Sequence, residues 1–154
     1  MTDFIYQFQI DERVCDDLIE YHKNKNEYKA PGLLGQGEQD KKRKDSIDCR
    51  FYPGSNDPAV VNYFKQLQFG FDNYLKIYDH LSGCSMWVKD GTNIQHYPPG
   101  GGYHAWHFER QTNVYPMSSR ALVFMTYLND VTDAGETEWY YQKKKIQPKK
   151  GLSV

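Results

Sequence analysis

The densest chemistry in the sequence lies between Tyr97 and Glu109, in Tyr-Pro-Pro-Gly-Gly-Gly-Tyr-His-Ala-Trp-His-Phe-Glu. Two of the five histidines, His104 and His107, fall here, and Glu109 follows His107 by two residues. On an extended strand, residues i and i+2 project from the same face. His107 and Glu109 can therefore offer an imidazole nitrogen and a carboxylate oxygen to one metal ion. One further His from a distant strand would complete the two-His, one-carboxylate set that leaves positions on Fe(II) open for a co-substrate and O2. An H-x-E pair by itself is a weak signal and is more often surface decoration. In a helix His104 would pair with His107 instead, but Pro98-Pro99 and the three glycines that follow argue against a helix there.

Such a pair needs a scaffold, and the chain reads as helices first and strands afterwards. Residues 11–24 form a short helix with Asp11 as N-cap and Val14, Leu18, Tyr21 and His22 on one face. Residues 25–56 show no clear period. Within them Lys41-Lys42-Arg43-Lys44 is bracketed by Asp40 and Asp45, and reads as a solvated loop or polar strand edge rather than a nuclear-localisation or phosphate-binding signal. A longer helix starts after the N-cap Asp57 with Pro58 at its first position. Its stripe is Val60, Phe64, Leu67, Phe71, Leu75 and Tyr78, with Gly83 placed to close it. An aromatic stripe at that spacing is ordinary core.

From residue 84 the period becomes that of strands. Residues 85–89 and 92–97 read as a hairpin around Asp90-Gly91. Ala121 to Leu128 reads as a continuous apolar strand buried on both faces or nearly so, 129–136 as a turn-rich connection, and Thr137 to Tyr141 as an aromatic strand. The lysines at 143–145 and Pro148-Lys149-Lys150-Gly151 flank a short polar segment, and Leu152-Ser153-Val154 reads as the opening of a further strand. This order predicts an α+β fold, with helices packed on an antiparallel sheet or barrel.

The 154 residues match one domain in size. Lys and Arg number 19 against 20 Asp and Glu, so a net charge of −1 makes no electrostatic case for nucleic acid or an anionic membrane. Apolar residues reach only 39%, but 13 Tyr, 8 Phe and 3 Trp compensate, since an aromatic side chain buries about 150–250 Å². No apolar run approaches the roughly 20 residues of a membrane span, and the N-terminus lacks the basic and apolar regions of a secretory signal. Cys15, Cys49 and Cys84 lie far apart with no CxxC pair, giving neither a zinc knuckle nor a disulfide framework. The expected compartment is the reducing cytoplasm.

Five stretches together resemble the prolyl 4-hydroxylase-like branch of the 2-oxoglutarate- and Fe(II)-dependent dioxygenases. Cys15-Asp16-Asp17-Leu18-Ile19-Glu20 is similar to the family's opening helix, and Tyr97 to Glu109 to its Tyr- and Gly-rich lead into an H-x-D motif. The segment from Ala121 to Asp130 resembles the following core strand, and Gly135-Glu136-Thr137-Glu138-Trp139 the Gly-Glu-Thr turn. Pro148-Lys149-Lys150-Gly151 resembles the Pro-x-x-Gly turn before the strand that leads to the second His. Order and separation agree over residues 84–154 and more loosely over 1–83.

The resemblance implies a double-stranded β-helix, a cupin-like jelly roll with iron at the barrel mouth and N-terminal support helices on one outer face. Residues 1–154 would be one domain, with 1–83 the support helices and 84–154 the first part of the core. It further implies His107 and Glu109 as iron ligands, Tyr97 and Tyr103 as pocket tyrosines for the co-substrate, and Tyr127 as a strand tyrosine whose hydroxyl meets the 2-oxoglutarate tail. For all three tyrosines the alternative is a plain core aromatic. Trp106 would wall the pocket or cap the core, and Thr137 would be structural. The implied cofactors are Fe(II) and 2-oxoglutarate, with ascorbate as an optional reductant. The implied reaction hydroxylates an unactivated C–H with release of succinate and CO2. A peptidyl proline is the first substrate by resemblance, and nothing selects it over another amino-acid side chain, a small molecule or a nucleobase.

Two departures stand out. Glu109 replaces the family's Asp, which retains a hard oxygen donor but adds a methylene. No His follows His107, and the sequence stops where the family's distal His and carboxylate-pairing Arg or Lys would come. The expectation is an incomplete jelly roll lacking its last core strands, either a fragment or a natural truncation completed by a partner chain. The competing class is a non-catalytic jelly-roll binding module.

Overall fold

Asp11 opens the first helix in the computed structural model, which describes residues 3–86, 88, 91–110, 113, 115 and 117–154. Its carboxylate accepts the backbone N–H of Arg13 at 2.9 Å, satisfying one of the donors that a helix start leaves without a partner. In chain order the elements are β1 (Phe8–Gln9), α1 (Glu12–Asn24), β2 (Lys29–Pro31), β3 (Ile47–Phe51), α2 (Pro58–Ile77), β4 (Thr92–His96), β5 (Thr137–Trp139), β6 (Lys144–Ile146) and β7 (Leu152–Ser153). The class is α+β, with antiparallel pairing throughout the described strands. Residues 1–83, expected to be helical, also carry β1, β2 and β3. Among the described residues no helix is long and apolar enough to cross a membrane.

The chain divides into two units. The first comprises Met1–Glu20, Asn56–Trp87 and Phe124–Val154. Val14 and Leu18 of α1 are buried as their spacing predicts, and Cys15 beside them is fully buried too. Asp57 caps α2 by accepting the Ala59 N–H at 3.1 Å, with Pro58 at the helix start. Asp57→Ala is expected to cost about 1 kcal/mol, read as a lower urea midpoint at unchanged slope.

The inward face of α2 differs from the predicted stripe. Ala59, Val60, Tyr63, Leu67 and Gly70 are buried, while Phe64, Phe71, Leu75 and Tyr78 are only half-buried. Gly70 is the reason for the rotation. With no Cβ it lets the Phe8 ring lie against the helix backbone, in the space a methyl group would fill. Gly83 takes no part in ending α2. Tyr78 ends it, donating its N–H to the Tyr74 carbonyl at 2.9 Å, and a 3-10 turn at Asp79–Leu81 follows.

The strand β7 is bordered on both sides. It pairs with β1, and on its other edge Thr126 bridges Ser153 while Met125 and Val154 exchange both backbone bonds. Side chains reinforce this edge: Tyr63 Oη lies 3.1 Å from Thr126 Oγ1, which lies 2.7 Å from Ser153 Oγ. Burial pushes the Tyr63 hydroxyl up to about 12. The strand expected over Ala121 to Leu128 is therefore much shorter, and none of these residues is fully buried. Only 125–127 lie alongside β7, and Val123 and Phe124 are exposed because no β-ladder among the described residues takes them.

The lysine-rich stretch after Tyr141 also differs from expectation. Lys144–Ile146 is a strand paired with β5 in a hairpin. The period of two is hidden among lysines: Lys145 faces solvent and reaches Glu138 at 2.7 Å, while Ile146 is buried.

The second unit comprises Tyr21–Ser55 and Val88–Val123. Its sheet has the order β2-β3-β4. β3 lies in the stretch that showed no period. Cys49 and Phe51 turn inward between exposed or half-buried polar neighbours, a two-residue alternation obscured by the lysine run just before it. β4 pairs with β3 from Ile47↔His96 to Phe51↔Thr92. Ser85, Met86 and Val88 belong to no strand, and Trp87, Lys89 and Asp90 of the expected hairpin lie outside the described residues. The register sets Ile94 opposite Cys49 and buries both.

Candidate functional site

Four of the five residues singled out from sequence, Tyr97, Tyr103, His107 and Glu109, stand in the second unit. After β4 the chain turns through Pro98–Gly102. Gly101 donates to the Pro98 carbonyl at 2.8 Å, and a Cβ on Gly101 would press on Pro98 and the Asp45 carbonyl. The turn delivers residues 102–104 antiparallel to 43–45. Asp45 N–H donates to Gly102 O at 3.0 Å and His104 N–H to Arg43 O at 2.7 Å, with a bridge between Lys44 and Tyr103.

That bridge changes the reading of the lysine run. Lys41, Lys42 and Arg43 are exposed as a solvated loop requires, but Lys44 is only 4% exposed. Its ammonium lies 2.8 Å from Asp48 Oδ2 and 5.5 Å over the Tyr103 ring. Asp48 also accepts Ser46 Oγ at 2.7 Å and Gln95 Nε2 at 3.4 Å. Gln95 in turn accepts the Tyr97 hydroxyl at 2.9 Å. Burial, then the charge of Asp48, pushes the Tyr97 phenol well above its ordinary value.

The Tyr103 ring stacks on the His107 imidazole, with centroids 4.1 Å apart and planes 10° from parallel. His107 Nδ1 lies 2.9 Å from the Ala105 carbonyl. A carbonyl only accepts, so Nδ1 carries the proton and Nε2 is directed to Glu109 Oε1 at 3.3 Å. Residues 104–109 are not a strand, so a bent backbone, a ring stack and a carbonyl set the facing of His107 and Glu109, and the expected pleat does not. His104, Trp106 and Phe108 are exposed.

The other Glu109 oxygen, Oε2, accepts Arg120 Nη1 at 2.8 Å. The hydrogen bond to Glu109 raises His107 above its ordinary value, and the same bond, aided by Arg120, lowers Glu109. A raised His contributes stability below its unfolded value of 6.5 and loses it as pH rises through the folded value. A lowered Glu contributes above 4.5 and loses it as pH falls through the folded value. Without metal, the stability difference between the native chain and His107→Gln is therefore expected to peak between those two values. Solvent screening keeps it small, and urea midpoints across pH measure it.

A metal cation would take the place of the proton shared by this pair. Two ligands each about 2.1 Å from a metal and at right angles lie about 3 Å apart, close to the observed Nε2–Oε1 separation. The pair fits two positions of a metal shell. Among the described residues no group of three or more His, Cys, Asp or Glu converges.

Tyr127 belongs to the first unit, where its N–H donates to the Leu152 carbonyl at 3.0 Å and its hydroxyl to the Ile146 carbonyl at 3.3 Å. Burial raises that phenol. Three residues of the second-unit cluster were not singled out from sequence as site residues. Lys44 and Asp48 carry a faint signal, an i, i+4 opposite-charge pair leading into β3. Arg120 carries none, because its relation to Glu109 exists only in three dimensions. Comparison with known proteins finds no matching family model, no matching curated protein and no matching solved structure.

Proposed function

We propose that this chain is a jelly-roll oxygenase of the 2-oxoglutarate- and Fe(II)-dependent type, acting on an unactivated C–H. The observation that carries the reading is the facing of His107 Nε2 and Glu109 Oε1 at 3.3 Å, with Nδ1 engaged by a backbone carbonyl. Metal-binding histidines characteristically donate their second ring nitrogen in this way, which fixes tautomer and ring orientation. The jelly-roll reading rests on the resemblance; among the described residues the strands form separate antiparallel sheets of two or three strands. His107 and Glu109 would hold Fe(II), which with 2-oxoglutarate and O2 supplies the oxidising chemistry. Tyr103 keeps the imidazole flat against its own ring, and Tyr97 holds a protonated phenol on Gln95, in the Asp48 cluster. The role of Tyr127 toward 2-oxoglutarate, and a peptidyl proline as first substrate to assay, rest on the resemblance alone.

Anaerobic titration of Fe(II) in the presence of 2-oxoglutarate tests this through the weak visible charge-transfer band of the ternary complex. The band is expected for the native chain and lost in His107→Ala. A band unchanged in the variant would remove His107 from the site. The competing reading, a non-catalytic binding module, draws on the two-ligand set found among the described residues, and absence of any band would favour it.

A further inference from the structure

We infer that Arg120 is the positioning residue that lets a glutamate serve at position 109, where the resembled family has the shorter aspartate. The inference rests on the metal-holding reading of His107 and Glu109 and adds how Glu109 is held. One nitrogen of Arg120, Nη1, donates both to the backbone carbonyl of Glu109 at 3.2 Å and to its Oε2 at 2.8 Å. A guanidinium nitrogen carries two hydrogens, so both bonds are available to it. Spanning the two ends of one residue, a single Arg120 nitrogen ties the carboxylate of Glu109 to its own backbone carbonyl. That tie fixes where the longer side chain places its two oxygens. Oε2 is occupied by Arg120, and Oε1 is left facing His107 Nε2 at 3.3 Å.

The arrangement makes Glu109 a one-oxygen ligand, and it depends on the length of both side chains. An aspartate on the same backbone is one carbon shorter and cannot satisfy Arg120 and face His107 together. A lysine at 120 would supply charge without the rigid, planar donor group. Arg120 is held by its own surroundings: it follows the 3-10 turn Met117–Ser119, and its N–H donates to the Met117 carbonyl at 3.4 Å.

The test is titration of the full chain with Co(II), followed in the visible spectrum, with circular dichroism and unfolding midpoints recorded in parallel. Arg120→Gln is expected to weaken Co(II) binding about 10–100-fold, the usual size of an outer-shell loss, with little change in midpoint. Arg120→Lys should recover part of that loss. Glu109→Asp should weaken binding in the native background and make no further difference beside Arg120→Gln, a non-additivity that a mere surface ion pair would not show. Native affinity in Arg120→Gln or in Arg120→Lys, or losses that simply add, would overturn the inference. If those variants bind normally while His107→Ala does not, the inference fails and the metal-site reading stands. A native chain that binds no Co(II) would overturn both.

Discussion

Lys44→Met is expected to destabilise the second unit by about 3 kcal/mol, far more than the neighbouring Lys41→Met. The reason is desolvation: removing one partner of a buried ion pair typically costs about 3–5 kcal/mol, because the remaining charge stays buried without compensation. Here the remaining group is Asp48. Ser46 and Gln95 still donate to it, which places the expected loss toward the lower end of that range. The exposed Lys41 sits in water and should change stability by less than about 0.5 kcal/mol. Replacing both partners, as Lys44→Met with Asp48→Leu, should return much of the loss, since a buried pair is often no better than an apolar one of similar volume. Urea unfolding resolved by amide exchange in β3 and β4 measures all three. Equal midpoints for the Lys44 and Lys41 variants would show that the Lys44 ammonium reaches water and that the pair is not buried in solution.

Gly70→Ala is expected to destabilise the first unit by about 2 kcal/mol, although alanine favours a helix interior over glycine by about 1 kcal/mol. The added Cβ would meet the Phe8 ring, and overpacking of that kind costs about 1–3 kcal/mol or more. Phe8 sits on a strand of only two residues paired with β7, so relief requires the ring to swing away from the helix or β1 to shift with it. The sign should reverse in a Phe8→Ala background, where the same methyl group enters open space and only the helix preference remains. Thermal unfolding of the four chains closes the cycle. A destabilising effect that persists without the Phe8 ring would place the conflict elsewhere on α2.

Local rules carried the helices. Asp11 and Asp57 cap where an acceptor precedes an amphipathic run, and Val14, Leu18, Val60 and Leu67 are buried where the 3.6 period puts them. Those features depend on a few neighbouring residues, so they are legible in the sequence. The pairing partners of strands are not. β4 pairs with β3, more than forty residues earlier in the chain. Nothing local marks that partner, because the pairing depends on which apolar residues become buried together.

The candidate site divides in the same way. Legible from residue order alone are an imidazole and a carboxylate two residues apart after a Gly-rich turn, with Tyr97 and Tyr103 just before them, and a charge balance near zero. What surrounds them depends on contacts made across the fold. Lys44 looks like one member of a solvated basic run, and it is buried because the turn at 98–102 lays Tyr103 across it. Arg120 has no sequence mark, and it reaches Glu109 across eleven residues of chain. Residue type and short spacing encode which chemistry a segment can offer. Burial and long-range contact decide which groups meet and which charges are held away from water, and those depend on how the rest of the chain closes around the segment.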